Sequence, residues 1–412
     1  MDRSKLFETL KERGYVYQTT NEEAVRKLCN GQPMTVYVGI DPTASSLHIG
    51  HFFSLMMAKY FQDAGHKVLV LVGGATAMIG DPSGRTDMRS MITPESVENN
   101  LLEIKGIINK FLNISGNNPA TIVNNADWFK GYDYITFMRD IGAHFNVNKM
   151  LSADAYANRL KEGGLTFLEM GYMLMQAYDF IHLNNKYNCV LQIGGSDQWG
   201  NMIAGCELGR KLNAHEGTNY NLEVLTCPLL TNAEGVKMGK TAKGALWVAK
   251  DKTSVFDFYQ YFYNMPDIET EKLLKLFTRI PLDEINGLVN SDILAAKRLM
   301  AFEITKLVHG EQEAKTAEES AKALFSGSDN LDNAPTYKIE NFVSGELTVS
   351  AVALQAGIVV STSEARRAIE QGGLSLNGEK VADANYKLVQ SDFEKGYALL
   401  KKGKKVFIKL TI

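Results

Sequence analysis

The chain has 412 residues, 45% of them hydrophobic, with 44 basic against 47 acidic side chains. This composition provides enough apolar surface for a core, predicts about two to three domains, and excludes a disordered chain. The near-balance of charge also excludes an overall electrostatic attraction to nucleic acid or to a membrane surface, although it leaves a local basic patch open.

Membrane, export and metal patterns are missing from the sequence. The longest apolar runs, such as residues 68–73, are far shorter than a membrane helix needs, and the charged N-terminal stretch has no signal-peptide core. Four cysteines stand far apart without a CxxC pair, and the seven histidines form no HExxH pattern. We therefore expect a cytoplasmic protein with reduced thiols, no membrane segment and no metal site of its own.

The first part of the chain alternates between buried strands and amphipathic helices. After one or two helices in residues 1–30, the strands are predicted at 35–40, 67–74, 121–125 and 189–195. Helices are predicted at about 50–64, 133–146, 166–184 and 197–212. Strands that are apolar throughout are typical of a parallel sheet covered on both faces. The pattern predicts an α/β domain with a doubly wound, Rossmann-like parallel sheet over residues 1–230.

The remainder of the chain changes character twice. A connection at 231–252 leads into an aromatic and leucine-rich segment at 253–325 without strand signals, which predicts an α-helical domain. Residues 326–346 are rich in Ser, Gly, Asn, Asp and Pro, as in a linker. The last segment, 347–412, is predicted to be a small α/β unit, and its ten basic against six acidic side chains contrast with the acidic remainder.

The loop after the first strand carries a pattern that favours phosphate binding. It contains, in order, Tyr37, Gly39, Asp41, Thr43 and the sequence His48-Ile-Gly50-His51 (the HIGH segment). Free backbone N–H groups and the helix dipole favour an anion there, imidazole can donate to a phosphoryl oxygen, and Gly50 leaves room for a nucleotide base. Taken alone, the four-residue pattern fits two surface histidines at a helix start equally well.

A second pattern, Lys237-Met-Gly239-Lys240-Thr241 (the KMGKT turn), lies about 190 residues further along. Two lysines near glycines make a cationic loop that can hold a polyphosphate, although such a loop in isolation is usually only solvated. Together the HIGH segment and the KMGKT turn resemble the two signatures of class I aminoacyl-tRNA synthetases. The second signature is generically KMSKS, so Gly239 and Thr241 stand here in place of serines.

Further blocks resemble the bacterial tyrosyl-tRNA synthetase family in order and spacing, over essentially the whole chain. They lie at residues 73–85, 172–179 and 191–201, and the tail at 363–378 resembles an S4 RNA-binding domain. Independently of the resemblance, the spacing of Tyr172, Gln176 and Asp179 puts all three on one helix face. Such a face indicates a polar pocket, the alternative being a buried and satisfied polar network.

The resemblance implies an enzyme that activates L-tyrosine with ATP and then transfers it to the 3′-terminal ribose of tRNA(Tyr). The residues that would bind tyrosine are Tyr37, Asp81, Tyr172, Gln176, Asp179 and Gln198. Those that would bind ATP are Gly39, Asp41, His48, Gly50, His51, Gly195, Asp197 and Lys240. Those that would stabilise the transition state are Thr43, His48, His51, Arg85, Arg89, Lys237, Lys240 and Thr241.

The chemistry of activation agrees with these roles. A carboxylate is already ionised near neutral pH, so its attack on phosphorus needs positioning and charge stabilisation rather than a general base. A pocket that hydrogen-bonds the phenol rejects phenylalanine, a rule for which tyrosyl enzymes are themselves the usual example. No editing domain is therefore expected.

The resemblance also implies the partners. Mg²⁺ is expected as the ion that accompanies ATP and leaves with pyrophosphate. The residues expected to contact tRNA are Arg366, Arg367, Lys401, Lys402, Lys404 and Lys405, a cationic set that also fits a merely solvated terminus. Apolar positions at helical spacing in 134–145 fit either internal core or, by resemblance, the interface of a homodimer.

Two other functions stay open at this stage. A tryptophanyl-type enzyme would share the fold, but Tyr37 and Asp179 can pair with a phenol and therefore argue against it. A non-catalytic RNA-binding paralogue would be free to lose the HIGH segment and the KMGKT turn, and both are intact. Measurement of adenylate formation distinguishes it from the enzyme.

Overall fold

The structure, a computed structural model, shows two compact units. One contains residues 1–253 and 265–300, and the other contains residues 254–264 and 301–412. The residues that the structure describes are 1–83, 91–232, 235, 237–241, 244–326, 336–403 and 406–412.

A six-stranded sheet forms the middle of the first unit. Its strands are β1 (Gln18–Thr19), β2 (Thr35–Ile40), β3 (Lys67–Val72), β4 (Thr121–Asn124), β5 (Cys189–Gly195) and β6 (Glu223–Cys227). The strand order is β1-β6-β5-β2-β3-β4; all neighbours are parallel except β1, which is antiparallel to β6. The predicted parallel sheet is confirmed, and β2 and β3 are buried along nearly their whole length. A two-stranded ribbon, β7 (Lys240–Thr241) and β8 (Gly244–Ala245), lies further along the chain.

The strand order predicts a ligand-binding crevice at the carboxyl ends of β2 and β5. The chain proceeds from β2 through β3 to β4 on one side and continues with β5 and β6 on the other, as in a doubly wound sheet. Ligands of such sheets bind outside the carboxyl ends of the strands where the order reverses. Gly39 and Asp41 lie at that end of β2, and Gly195 and Asp197 lie at that end of β5. The topology therefore brings four predicted ATP-binding residues to one edge.

Helices connect these strands. They are α1 (Leu6–Glu12), α2 (Glu22–Asn30), α3 (Ile49–Asp63), α4 (Thr76–Ile79), α5 (Pro94–Phe111), α6 (Ala126–Phe129), α7 (Tyr134–Asp140), α8 (Val147–Leu151), α9 (Asp154–Glu162), α10 (Phe167–Tyr187) and α11 (Trp199–Glu216). The helix predicted at 133–146 is shorter than expected: α7 ends at Asp140 and a 3₁₀ turn follows. Gly142, a poor residue for a helix interior, lies in that turn. By contrast, α10 begins where predicted, at a capping box of Thr166 and Glu169.

The segment at 253–325 is helical, as predicted. Its helices are α12 (Val255–Tyr263), α13 (Asp267–Phe277), α14 (Leu282–Ser291), α15 (Ile293–His309) and α16 (Glu311–Ser326). Helices α13 and α14 belong to the first unit, where Arg13 donates to the carbonyl oxygens of Lys275 (3.1 Å) and Thr278 (2.9 Å) at the end of α13. Helices α12 and α16 belong to the second unit.

The C-terminal part of the second unit has its own sheet and core. It contains β9 (Thr336–Lys338), α17 (Val349–Gln355), α18 (Thr362–Glu370), β10 (Leu374–Leu376), β11 (Glu379–Lys380), β12 (Ala398–Lys402) and β13 (Val406–Thr411). The strand order is β11-β10-β12-β13-β9, and only β9 and β13 are parallel. Because β9 and the buried Ile339 belong to this sheet and core, the linker predicted at 326–346 ends earlier than expected. A three-residue edge strand is too short to produce a periodic signal in a polar segment.

Candidate active site

The HIGH segment begins α3, and His48 caps that helix. Its Nδ1 accepts the backbone N–H groups of Gly50 (3.1 Å) and His51 (3.4 Å). An acceptor at Nδ1 assigns the proton of the neutral ring to Nε2, so His48 presents an N–H donor on the far side of its ring. The rings of His48 and His51 stack with their centroids 3.9 Å apart. The two histidine rings thus form a stacked pair at the N-terminus of α3.

The missing side chain of Gly50 leaves space for the His48 ring as well as for a ligand in the crevice. A Cβ atom at this position would lie 3.0 Å from Cε1 of His48. The sequence predicted that Gly50 leaves room for a nucleotide base, and the structure adds that it also leaves room for the ring that caps the helix. Gly39, in contrast, has open space where its side chain would be, and it is the exposed residue of β2. Gly39 therefore leaves the β2 edge of the crevice unobstructed.

Asp41 joins the two predicted binding sets. Its Oδ2 accepts a hydrogen bond from the Tyr172 hydroxyl (2.8 Å), and its Oδ1 accepts one from the Thr76 hydroxyl (2.7 Å). A side chain at Gly73 would collide with Oδ1 of Asp41. The predicted ATP residue Asp41 and the predicted tyrosine residue Tyr172 are therefore neighbours. The backbone N–H of Thr43 donates to the Asp41 carbonyl (2.8 Å), which places Thr43 at the same loop.

Asp179 is buried on α10, on the helix face that the sequence predicts to line a polar pocket. Its side chain is only 2% exposed, and it accepts hydrogen bonds from Nδ2 of Asn125 (3.1 Å) and Nε1 of Trp128 (2.8 Å). The Tyr37 hydroxyl and Oε1 of Gln176 are buried without a hydrogen-bond partner. Buried polar atoms are nearly always paired in a folded protein. Unpaired groups from β2 and α10 therefore indicate that this pocket receives a polar ligand.

Electrostatics in this pocket favour neutral groups. Burial raises the pKa of Asp179 well above its usual range, although the hydrogen bonds from Asn125 and Trp128 oppose the shift. Burial, and then the nearby charge of Asp179, raise the pKa of Tyr37. A ligand that donates a hydrogen bond to Asp179 would relieve the cost of its buried charge. The pocket is thus suited to a hydroxyl group.

A second acidic centre lies at Asp81. Its Oδ2 accepts from Nε2 of Gln198 (2.6 Å), and its Oδ1 accepts from the backbone N–H of Ser83 (3.0 Å) and from Nδ2 of Asn201 (3.4 Å). The predicted tyrosine-binding residues Asp81 and Gln198 are therefore in direct contact. A carboxylate held by amide donors in this way is fixed in orientation and suited to a cationic group.

The KMGKT turn approaches both the β5 edge and the HIGH segment. Nζ of Lys237 lies 3.2 Å from Oδ2 of Asp197, which joins a residue predicted to stabilise the transition state to a predicted ATP-binding residue. The chain after the turn pairs with the start of α3: Ile49 donates to the Leu246 carbonyl (3.2 Å), and Val248 donates to the Leu47 carbonyl (3.0 Å). The two signatures, far apart in sequence, are therefore adjacent.

Several predicted residues lie outside the described part of the chain. The backbone of Lys240 and Thr241 forms β7, but their side chains are not described. The predicted residues that lie wholly outside the described ranges are Arg85, Arg89, Lys404 and Lys405.

Thr76, Asn125, Trp128 and Asn201 contribute to the site without having been predicted. Thr76 and Asn201 fall within the blocks 73–85 and 191–201, but the resemblance gave them no role, and Asn125 and Trp128 belong to no recognisable short motif. The available signal was positional, since Asn125 follows the carboxyl end of β4 and Thr76 follows that of β3. Both strands end at the edge where ligands of a doubly wound sheet bind.

The predicted tRNA-binding set is divided between two faces of the C-terminal sheet. Arg366 and Arg367 are exposed on α18. Lys402 lies toward the same helix, where its Nζ contacts Oε1 of Glu364 (2.5 Å). Lys401 is the next residue along β12, and successive side chains of a strand point to opposite faces. Lys401 and Lys402 therefore do not form one surface.

Two general properties of the described ranges bear on function. None of their helices is both long enough and apolar enough to cross a membrane. No group of three or more His, Cys, Asp or Glu side chains within the same ranges is placed to hold a metal ion.

Comparisons with known proteins agree along the whole chain. The model of the tRNA synthetases class I (W and Y) matches residues 29–326, and that of the tyrosine–tRNA ligase SYY-like C-terminal domain matches residues 328–410. A tyrosine–tRNA ligase of Clostridium botulinum (strain Alaska E43 / Type E3) is 50% identical over 412 residues, covering 99% of this chain and 100% of that protein. One from Clostridium tetani is 48% identical, with 99% of both chains covered.

Solved structures agree with these matches. A C-terminally truncated mitochondrial tyrosyl-tRNA synthetase of Aspergillus nidulans has a TM-score of 0.68 and 30% identity, covering 78% of this chain and 94% of that one. A tryptophanyl-tRNA synthetase of Aeropyrum pernix K1 has a TM-score of 0.55 and 16% identity, covering 76% of this chain and 87% of that one. At that identity the second likeness concerns the fold alone.

Proposed function

The chain belongs to the class I tRNA synthetase family of the tryptophanyl and tyrosyl enzymes and functions as a tyrosyl-tRNA synthetase. From this premise we propose which residues bind each substrate and which stabilise the transition state. The enzyme joins tyrosine to tRNA through a tyrosyl-adenylate. The observation that carries the residue assignment is a pair of buried polar groups without a partner, the Tyr37 hydroxyl and Oε1 of Gln176. The charge of the buried Asp179 carboxylate acts on Tyr37, and Gln176 precedes Asp179 by about one turn of α10.

We propose that the phenol of the substrate binds between Tyr37 and Asp179. Asn125 and Trp128 occupy the carboxylate's other hydrogen-bonding directions and so orient it. The α-ammonium group would lie near Tyr172, Gln176 and the Asp81–Gln198 pair, whose negative charge suits a cation. Phenylalanine would leave the Tyr37 hydroxyl unpaired and would give the Asp179 carboxylate no hydrogen bond from the substrate, which disfavours its binding.

ATP is proposed to lie across the carboxyl ends of β2 and β5. The ribose would contact Gly195 and Asp197, the base would lie beside Gly39 and Gly50, and the phosphates would meet the N-terminus of α3. There His48 Nε2 and the neighbouring Thr43 and His51 would stabilise charge on the departing phosphates. Lys237, Lys240, Thr241, Arg85 and Arg89 would supply further positive charge and hydrogen bonds to the phosphates.

Mg²⁺ is proposed to accompany ATP, coordinated by its phosphate oxygens. The chain's own contribution is then cationic and hydrogen-bonding.

The four cysteines, three buried and one half-buried, are all free, which is consistent with the cytoplasmic location that we propose.

The test of this function is tyrosine-dependent exchange of pyrophosphate into ATP, with phenylalanine and tryptophan in parallel. We expect exchange with tyrosine alone. Exchange with tryptophan would contradict the assignment of Tyr37 and Asp179 to a phenol. Absence of exchange from folded protein would contradict the activation step.

Double charge reversal of Arg366 and Arg367 is expected to raise the KM for tRNA by about tenfold or more without changing the exchange reaction. Both side chains are exposed on α18, and contacts of this kind with phosphates depend on charge and on salt. The measurement is the initial rate of tRNA charging against tRNA concentration at two salt concentrations. The control replaces both residues with lysine, which keeps the charge and should keep most of the affinity. Equal loss in both variants would exclude a phosphate contact.

We propose a homodimer in which α7 contributes to the interface. Phe137 faces inward, packing on Phe129, Tyr132 and Tyr178, and Ile141 is buried. On the same helix Tyr134 is 63% exposed and Ile135 is 66% exposed. Neighbouring exposed apolar side chains are typical of a surface that another protein covers.

Replacing Ile135 with arginine is expected to convert a dimer into a monomer at micromolar concentration. The physical reason is that an unpaired charge would have to be buried in the interface. Light scattering gives the mass. The control is Leu294→Arg, which places the same charge at a comparably exposed leucine (59%) on α15 and should leave the mass unchanged. A wild-type chain with monomer mass would contradict the proposed dimer.

A further inference from the structure

A residue without a side chain makes a close contact between the HIGH segment and the KMGKT turn. A Cβ atom at Gly239 would lie 2.6 Å from Cγ2 of Ile49, well inside van der Waals contact. Gly239 also has a φ of +84°, a conformation that L-residues with side chains rarely adopt. Both the backbone conformation and the space at this position are therefore compatible only with glycine.

Backbone hydrogen bonds hold Gly239 and Ile49 in this relation. The Gly239 carbonyl accepts from the N–H of Leu246 (2.6 Å), and the Leu246 carbonyl accepts from the N–H of Ile49 (3.2 Å). His48 and Trp247 form an antiparallel bridge beside them. Because Ile49 and Leu246 are buried, neither side chain can move far to make room.

We propose that Gly239 is a positioning residue, and that its contact with Ile49 sets how closely the KMGKT turn approaches the HIGH segment. A side chain at 239 would have to retreat by about 1 Å to reach normal contact distance from the Ile49 methyl group. The lysines on both sides of Gly239 would move away with it, from a site that needs both signatures at once. The proposal rests on the proposed role of the two signatures in activation.

Gly235 provides a matched control within the same segment. Its φ is +77°, close to that of Gly239, but nothing lies within 4 Å of where its Cβ would be. An alanine at 235 therefore introduces the backbone strain without the collision. Ile49→Leu provides the reciprocal change, since leucine lacks the Cγ2 methyl group that the added Cβ would meet while keeping the side-chain volume.

The experiment compares Gly239→Ala, Gly235→Ala, Ile49→Leu and the double variant Gly239→Ala/Ile49→Leu in the full-length enzyme. The measurements are kcat and the KM for ATP in tyrosine-dependent pyrophosphate exchange, together with tyrosine affinity by equilibrium dialysis. We expect Gly239→Ala to lower kcat about ten- to a hundredfold, since a displacement of this size misplaces catalytic groups. We expect Gly235→Ala to lower it less than about threefold.

Two measurements distinguish a positioning role of Gly239 from a general disruption of the fold. Tyrosine affinity of Gly239→Ala should stay within about twofold of wild type, because the phenol pocket is built from other elements. The kcat of the double variant should be at least about threefold higher than that of Gly239→Ala. Equal losses at positions 235 and 239, a parallel loss of tyrosine affinity, or a double variant no better than Gly239→Ala would each overturn the proposal. Failure of the wild type to exchange would instead contradict the proposed function.

Discussion

Replacing Asp179 with asparagine is expected to lower tyrosine-dependent exchange by about a hundredfold. The carboxylate accepts from Asn125 and Trp128 and, by our proposal, from the substrate phenol. Asparagine keeps the shape but has one acceptor oxygen instead of two. Its amide N–H₂ group would face a hydrogen-bond donor, so that either Asn125 or the substrate loses its partner.

The direction of the pKa shift predicts how the stability of the variant depends on pH. Burial raises the pKa of Asp179, so the folded protein binds this proton more tightly than the unfolded chain. The stability that this proton contributes is present below about pH 4 and is lost as pH rises through the raised pKa of the folded state. Asparagine does not titrate, so the variant avoids that loss. The stability difference between variant and wild type should therefore grow in favour of the variant as pH rises.

The measurements are exchange kinetics and thermal unfolding between pH 4 and pH 8. The matched control is Glu269→Gln, another buried acid (2% exposed) changed to its amide, on α13. It should leave the KM for tyrosine unchanged. Normal exchange by Asp179→Asn would contradict the phenol contact, whereas a large fall in its melting temperature would indicate that Asp179 serves the fold.

Replacing His48 with aspartate is expected to lower the exchange rate by about a hundred- to a thousandfold while keeping α3 capped. His48 performs two functions in the structure. Its Nδ1 accepts hydrogen bonds from backbone N–H groups at the start of α3, which have no acceptor within the helix, and its Nε2 presents an N–H donor. Aspartate is a favourable N-cap residue and preserves the first function. It replaces the donor with a negative charge, which repels phosphate.

The comparison that separates the two functions includes His48→Ala, which removes both. His48→Ala should lose about 1 kcal/mol of stability with the cap, whereas His48→Asp should not. Asn21→Asp, which exchanges one capping residue for another at the start of α2, shows the effect of such a change away from the site. The measurements are the exchange rate and chemical unfolding. Retention of exchange by His48→Asp would exclude the phosphate contact.

Much of the fold was predictable because its determinants are local. The apolar runs of β2, β3 and β5 predict buried parallel strands, and the alternation with helices predicts a doubly wound sheet. The periodic helices α3, α10 and α11 are confirmed within a few residues. The short strands β1 and β9 were not predicted, because two or three residues at a sheet edge carry no period of their own.

The site divides in the same way. Motif residues such as His48, Lys237 and Asp179 were recognisable because each belongs to a pattern of residue types at fixed spacing. Asn125 and Trp128, which complete the coordination of Asp179, have no such pattern and are brought to it by the packing of β4 and α6 against α10. The capping role of His48 also required coordinates, since it depends on the ring orientation.

By itself, then, the sequence determined the strands and helices with strong periodicity, the identity of the two signatures, and the helix face that carries Tyr172, Gln176 and Asp179. Only the tertiary structure decided that Asn125 and Trp128 hydrogen-bond to Asp179 and that Gly239 lies against Ile49. The physical reason is the distance along the chain over which each kind of interaction acts. Periodicity and capping act between residues a few positions apart, whereas these arrangements depend on contacts across up to 190 residues of chain.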